Sequence, residues 1–319
     1  MFKMKQYITP SWLGTCSMVL MLILIPLYAS SYWLYITMEV LLVGLFALST
    51  NVLLGYTGLL SFGQSAFFGL GAYIVAFILK EGIASIFLAM VISTGVCAIT
   101  ALLIGIFCIH LRAFYFAILT LSVSQFFYAI AYKWVKYTGG DDGIVGIPKT
   151  DFLGLSLEGT VNYYYFLIII VLVCFAAIYL ILHSPFGEVL QSIRENPERA
   201  AFSGINVKNY RLGSFFVASI FAGIAGALYA PSQGIITPNV LHWSKSSEPL
   251  LVSLLGGMQT FAGPLAGSVI FVVIKEWITQ YTEYWMFWYG LLMVLMIIYM
   301  PGGIVGSTQR IVNFMMRGK

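Results

Sequence analysis

Long apolar runs, separated by short polar stretches, dominate the pattern along the chain. Each clear run is close to the length of about 20 residues that an α-helix needs to cross a bilayer. None of the runs alternates polar with apolar positions as a barrel strand does. The pattern therefore predicts an all-α polytopic membrane protein, whose helices satisfy their own backbone hydrogen bonds in lipid. The clear runs cover 13–30, 33–54, 62–79, 84–109, 113–133, 163–182, 212–231 and 284–300.

Residues 249–280 decide whether the chain crosses the membrane nine or ten times. The stretch is long enough for two crossings, but it is interrupted at Gly256-Gly257 and at Gly263-Pro264. Two crossings would divide it into 249–263 and 264–280. The first piece would rise only about 22 Å at 1.5 Å per residue, so we expect a broken or re-entrant helix there.

The charges favour ten crossings, with both termini cytoplasmic. Only 9% of the 319 residues are charged, against roughly a quarter in a soluble domain, and 60% are hydrophobic. With ten crossings, most basic residues fall on the inner side, as the positive-inside rule requires. Eight of the 12 acidic residues then lie outside, Glu248 among them, and Glu39 is the one acid within a span. The inner basic residues are Lys3, Lys5, Arg112, Arg194, Arg199, Lys208, Arg211, Arg310, Arg317 and Lys319. We expect one membrane domain over 1–319 without a soluble domain.

The segment 184–211 is the charged exception and is predicted to be cytoplasmic. Pro185 suits the start of one short helix, and Asn196-Pro197 suits its end and the N-cap of a second. Gly204 is a natural C-terminal stop. The segment is either a solvated loop or a rigid knob that docks into a soluble partner. The well-defined caps favour the knob, with charges such as Arg194 and Glu198 displayed.

A glycine-rich stretch over 51–73 combines close-packing residues with polar groups. One interpretation is an irregular segment that lines a transport pathway; the other is glycine packing with interhelical hydrogen bonds. The candidate pathway residues are Asn51, Thr57, Ser61, Gln64 and Ser65. The small-residue pairs Ala218–Ala222 and Gly223–Ala227 predict a helix-packing face or a seam with a partner chain.

Several long motifs resemble the branched-chain amino acid (leucine/isoleucine/valine-type) ABC transporter permeases. They are NVLLGYTGLLSFGQSAFFGLGAY (51–73), RAFYFAILTLSVSQ (112–125), YTGGDDGIVGIP (137–148), SPFGEVLQSIRENPERAAFSGINVKNYRLGSFFVASIFAGIAGALYA (184–230), LLGGMQTFAGPLAGSVI (254–270) and MPGGIVG (300–306). They occur in family order over nearly the whole chain after about residue 35. One departure is Gln64, where the common motif carries His; Gln cannot titrate near neutral pH.

The resemblance implies a bacterial inner-membrane importer with several components. It implies a homologous second permease, two ATP-binding subunits and an extracytoplasmic binding protein for a small-molecule substrate. This chain has no GxxxxGK[ST] loop, so it is expected to be a permease subunit and not itself an enzyme. The resemblance also implies that 184–211 is the coupling segment, through which the ATPases drive the membrane helices. Its candidate residues are Glu188, Gln191, Arg194, Glu195, Asn196, Glu198 and Arg199.

The cargo stays open among branched-chain amino acids, other amino acids, urea or amides, and small carboxylates. A different class, an ion-coupled secondary transporter, would predict titratable groups inside the spans, where the pattern offers only Glu39. An enzyme is disfavoured because the three histidines are far apart and no catalytic motif occurs. We expect no cofactor, no metal at Asp141-Asp142, no disulfide and no nucleic-acid partner.

Overall fold

The computed structural model describes residues 12–108, 111, 113–151, 154, 156–299, 303–304 and 306. The described chain is mainly helical, so an all-α polytopic membrane protein is confirmed. Among the described residues, six helical segments are long and apolar enough to cross a membrane, at 31–57, 86–108, 114–133, 160–182, 207–233 and 262–279, and Gln64–Lys80 is a shorter apolar helix.

The helices follow one another with short connections. They are α1 (Trp12–Tyr28), α2 (Ser31–Asn51), α3 (Gln64–Lys80), α4 (Ile86–Cys108), α5 (Ala113–Lys133), α6 (Val135–Thr138), α7 (Thr160–Leu182), α8 (Pro185–Glu195), α9 (Pro197–Phe202), α10 (Val207–Gln233), α11 (Trp243–Gly256), α12 (Ala262–Thr279) and α13 (Trp285–Tyr299). A π-helix, Val52–Thr57, continues α2, and 3-10 turns occupy Gly140–Asp142 and Pro238–Leu241.

Two short strands join segments that are distant in sequence. β1 (Ile144–Val145) pairs antiparallel with β2 (Ile235–Ile236), so the stretch before α7 is held against the chain that leaves α10. Asp141 and Asp142 lie in the 3-10 turn just before β1. Within the described chain, no group of three or more His, Cys, Asp or Glu side chains is placed to hold a metal ion.

Glycines bring α3 and α10 into close contact at the centre of the fold. A Cβ on Gly71 would overlap the carbonyl oxygen of Gly223, and one on Gly226 would overlap that of Phe68. A Cβ on Gly223 would lie 2.6 Å from the Cys97 sulfur of α4. The small residues of α10 therefore form a packing face within this chain, which confirms that prediction. Cys97, Cys108 and Cys174 are buried free thiols.

The region predicted as 249–263 and 264–280 forms two helices, but with different limits. α11 begins at Trp243, six positions before the predicted start, and a break over 257–261 separates it from α12. Lys245 and Glu248 therefore lie in a helix and not in a connecting loop. Pro249 is accommodated within α11, although a proline usually ends or kinks a helix.

Candidate transport pathway and coupling segment

The broken span between α2 and α3 is built from the glycine-rich stretch. The π-helix Val52–Thr57 extends α2, and the helical path stops at Gly58, whose φ is +75°. Residues 59–63 then run without regular structure until α3 begins at Gln64. Single π-turns inside α-helices are frequent at functional sites because they interrupt the regular hydrogen-bond ladder. The irregular segment predicted here is thus present.

Three of the five candidate pathway residues have partners within the protein. The Thr57 hydroxyl donates to the Val52 carbonyl at 2.9 Å, and Ser61 Oγ accepts from the Gly63 amide at 3.2 Å. Ser65 Oγ is 3.1 Å from Ser124 Oγ. All three side chains are buried. Their contacts suit a packing role as well as they suit a pathway.

Asn51 and Gln64 differ from the other three because their amides are unsatisfied. Both side chains are fully buried, and neither the oxygen nor the nitrogen of either amide has a hydrogen-bond partner among the described residues. A buried amide without a partner costs about 1–3 kcal/mol, so such groups are rare in native proteins. These two amides are available to a ligand, or to new partners in another conformation.

The charged segment forms the two short helices that its sequence predicts. α8 begins with Pro185 after Ser184, and the Asn196 side chain caps α9 by accepting from the Arg199 amide at 2.9 Å. The φ of Gly204 is +85°, as expected for a C-terminal stop. Leu190 and Ile193 bury the apolar face of α8 against the membrane helices.

Most of the candidate coupling residues lie on the free surface of this helix pair. Gln191 and Arg194 are half-buried. The exposed members are Glu188, Glu195, Asn196, Glu198 and Arg199. The expectation that Arg194 is displayed beside its neighbours is therefore wrong.

Arg194 instead contacts the broken span. Its guanidinium Nη1 donates a hydrogen bond to the carbonyl oxygen of Gly55, within the π-helix. A Cβ on Gly58 would lie 2.9 Å from Arg194 Cγ, so glycine lets α8 approach the end of that helix. The charged segment and the candidate pathway segment are in direct contact.

Phe202 is a surface residue that sequence reasoning missed. It ends α9 beside the exposed charges, and 92% of it is accessible. A large apolar side chain in so exposed a position suits a protein contact. The available signal in the sequence was a large apolar residue in a short capped helix of a charged segment.

Two ion pairs lie among the packed helices α2, α11 and α12. Lys245 Nζ is 2.6 Å from Glu248 Oε2 on α11, and Lys275 Nζ on α12 is 2.8 Å from Glu39 Oε1 on α2. The expectation that Glu39 is the one acid within a span is wrong, because Glu276 lies beside Lys275 in the candidate span 262–279. The sequence did not reveal the other three charged groups of the ion pairs. The predicted span began at 249, after Lys245 and Glu248, and Lys275 was expected on the outer side.

Apolar spans, a broken span with unsatisfied amides and an exposed helix pair packed against it define a polytopic membrane transport protein. The chain belongs to the family described as "Branched-chain amino acid transport system / permease component", whose model matches residues 32–300. The resemblance found in the motifs is thus confirmed, and the chain is an ABC permease subunit and a multi-pass inner-membrane protein.

Similarity to three transport permeases supports the same family. The chain is 28% identical to the high-affinity branched-chain amino acid transport system permease protein LivM of Escherichia coli, over 86% of this chain and 69% of that protein. It is 25% identical to the probable LivM of Methanocaldococcus jannaschii, over 85% and 93%. The probable LivH of the same archaeon is 30% identical over 43% of this chain and 45% of its own. No solved structure matches the chain.

Proposed function

We propose that this chain forms half of the translocation pathway of a binding-protein-dependent importer for branched-chain or related amino acids, driven by separate ATPase subunits. The contact between Arg194 and Gly55 is the observation that carries the proposal. It links a helix pair with an exposed, charged surface to the interrupted span that holds the unsatisfied Asn51 and Gln64 amides. Movement of the helix pair would therefore reach the pathway through one direct contact.

The coupling role is assigned to 184–211, with α8 and α9 as the docking elements. Phe202 is the apolar anchor that enters a groove on an ATPase subunit, and Glu198 and Arg199 are its charged neighbours. Glu188, Gln191, Glu195 and Asn196 form the rest of this surface. Interfaces of this kind combine a buried aromatic centre with a polar rim.

Ten spans with both termini cytoplasmic are part of the proposal. The break over 257–261 lies beside the end of the broken span that Arg194 contacts, because a Cβ on Gly55 would overlap the carbonyl oxygen of Met258. α11 therefore ends at the level of α8, and α12 leads away from it. A reversal on the cytoplasmic side supports two passages through this region.

The family and its relatives support the proposed partners. LivM and LivH of one archaeon both match this chain, which supports a second, homologous permease as its partner. Two ATP-binding subunits and an extracytoplasmic binding protein complete the importer. A urea, amide or small-carboxylate importer of the same family is the alternative for the cargo. An ion-coupled secondary transporter is the alternative of another class, but Glu39, the acid to which the sequence pattern points, is ion-paired with Lys275.

Docking tests the coupling role directly. The change Phe202→Ala should lower the affinity for the ATPase subunits about 30-fold, because an anchoring aromatic side chain contributes about 2 kcal/mol or more of binding free energy. Co-purification of the ATPase subunits should fall accordingly. The double reversal Glu198→Arg with Arg199→Glu should lower co-purification and stimulated ATP hydrolysis together. Glu158→Arg, an exposed acid just before α7, is the matched control. Wild-type assembly and hydrolysis in both coupling variants would show that 184–211 is a solvated loop.

A further inference from the structure

Four charged side chains from three packed helices form a compact, neutral group. Glu39 belongs to α2, Lys245 and Glu248 to α11, and Lys275 to α12. The two ion pairs measure 2.6 Å and 2.8 Å between nitrogen and oxygen. Each lysine also interacts electrostatically with the carboxylate of the other pair. We call these four side chains the charge quartet.

The charge quartet lies beside the broken span. Ser246, which directly follows Lys245, accepts a hydrogen bond at 2.8 Å from the Ser65 amide in the first turn of α3. Lys245 Nζ also lies over the ring of Phe68, which belongs to α3, at 5.7 Å. α11 thus holds Lys245 against α3, whose first residues, Gln64 and Ser65, are candidate pathway residues.

The charge quartet reaches a surface of this chain that cannot face lipid. Between 17% and 25% of each charged side chain is accessible. Charged groups within membrane helices face the protein interior or a water-filled cavity, because exposure to hydrocarbon is costly. This surface is therefore covered by a second chain or opens on a water-filled path.

The surroundings of Lys245 combine charge with apolar surface. Its Nζ lies 5.7 Å from the centre of the Phe68 ring and 5.6 Å from that of Tyr229, while its ion-pair partner Glu248 is one turn along the same helix. A cation, an anion and two aromatic faces are thus adjacent. A free α-amino acid carries a carboxylate, an ammonium group and a side chain, which match these three features.

We propose that Lys245 and Glu248 form a binding site for the zwitterionic end of a free α-amino acid. Lys245 binds the substrate carboxylate, Glu248 binds the substrate ammonium, and Phe68 and Tyr229 contact an aliphatic side chain. The ion pair opens as the substrate enters, so each protein charge exchanges one opposite charge for another. The Glu39–Lys275 pair keeps the neighbouring field neutral. This site rests on the proposed import of amino acids and specifies how the permease recognises them.

The test uses the complete importer in proteoliposomes, with ATP inside and labelled leucine as the probe. Lys245→Gln and Glu248→Gln should each lower the leucine imported per ATP hydrolysed at least tenfold. ATP hydrolysis stimulated by the binding protein should stay within twofold of wild type, because docking is elsewhere. Lys133→Gln, which alters an exposed lysine at the end of α5, is the matched control and should change neither quantity.

Two further variants preserve the ion pair and separate recognition from folding. Lys245→Arg and Glu248→Asp keep both charges but move the binding atoms, so assembled complexes should show at least a fivefold higher KM for leucine. Unchanged leucine import in the assembled variants would overturn the site while leaving the proposed function intact. A wild-type importer that hydrolyses ATP but imports no leucine would contradict the proposed amino-acid cargo, and the site with it.

Discussion

The guanidinium of Arg194 donates a hydrogen bond to the main-chain carbonyl of Gly55, 139 positions earlier in the chain. The donor lies on α8, whose neighbouring residues Glu195 and Asn196 are exposed, and the acceptor lies in the π-helix that interrupts a membrane span. A hydrogen bond from a charged group to a partly buried carbonyl contributes about 1.5–3 kcal/mol to stability. Under the proposed coupling role, we expect this contact to make the two elements move together.

Replacing Arg194 should separate ATP hydrolysis from transport. In Arg194→Ala the ATPase subunits should still bind, because the exposed surface of α8 and α9 is intact. Leucine import per ATP hydrolysed should fall at least tenfold, since losing about 1.5 kcal/mol corresponds to roughly that factor. Lys133→Ala, which removes an exposed cation at the end of α5, serves as control and should keep the wild-type ratio. An unchanged ratio in Arg194→Ala would remove this contact from the coupling mechanism.

The close contact between α3 and α10 should make Gly71 intolerant of any side chain. Gly71→Ala forces a methyl group against the Gly223 carbonyl, and overpacking of this kind costs about 1–3 kcal/mol. Gly95→Ala in α4 is the matched control, because a Cβ there meets nothing within 4 Å. Thermal unfolding in detergent should show a lower midpoint for Gly71→Ala only. Equal midpoints would mean that the helices are not in such close contact.

The unsatisfied amides should be needed for transport but not for stability. Asn51→Leu and Gln64→Leu remove buried polar groups without partners, so thermal stability should stay the same or rise. Import should fall at least tenfold if the amides meet the substrate or change partners during the cycle. Ser219→Ala removes another unsatisfied buried group, in α10, and should leave import unchanged. Normal import by well-expressed Asn51 and Gln64 variants would exclude both from the pathway.

The ten-span arrangement predicts that the carboxyl-terminal tail is cytoplasmic. Residues 307–319 lie outside the part of the chain that the structure describes. A cysteine replacing Ser307, with the native cysteines removed, should resist a membrane-impermeant thiol reagent in intact cells and react after permeabilisation. A cysteine at exposed Gly82, between α3 and α4, should react in intact cells. Reaction of the Ser307 cysteine in intact cells would contradict ten spans.

Local chemistry made α8 and α9 predictable from sequence. Pro185, the Asn196 cap and Gly204 act within a few residues, and their geometry is as expected. The start of α11 was not predictable, because Pro249 and the polar residues before it indicate a loop. A bond between Ser246 and Ser65, 181 positions apart, helps to hold that helix turn in place.

The candidate site likewise has one part that the sequence predicts and another that it does not. The glycine-rich stretch predicted an interrupted span, since glycine tolerates the φ of +75° at Gly58. No sequence pattern could pair Arg194 with Gly55 or Lys275 with Glu39, because both contacts depend on helix packing between distant segments. The exposure of Phe202 likewise depends on how α9 is oriented.

ATP-dependent accumulation of leucine tests the central claim most directly. Proteoliposomes should contain this chain, the second permease and both ATPase subunits, with ATP inside and the binding protein outside. The account predicts accumulation that requires ATP, the binding protein and this chain, and that persists after ion gradients are collapsed. Accumulation driven by a proton or sodium gradient without ATP, or none in an assembled and hydrolysing complex, would contradict it.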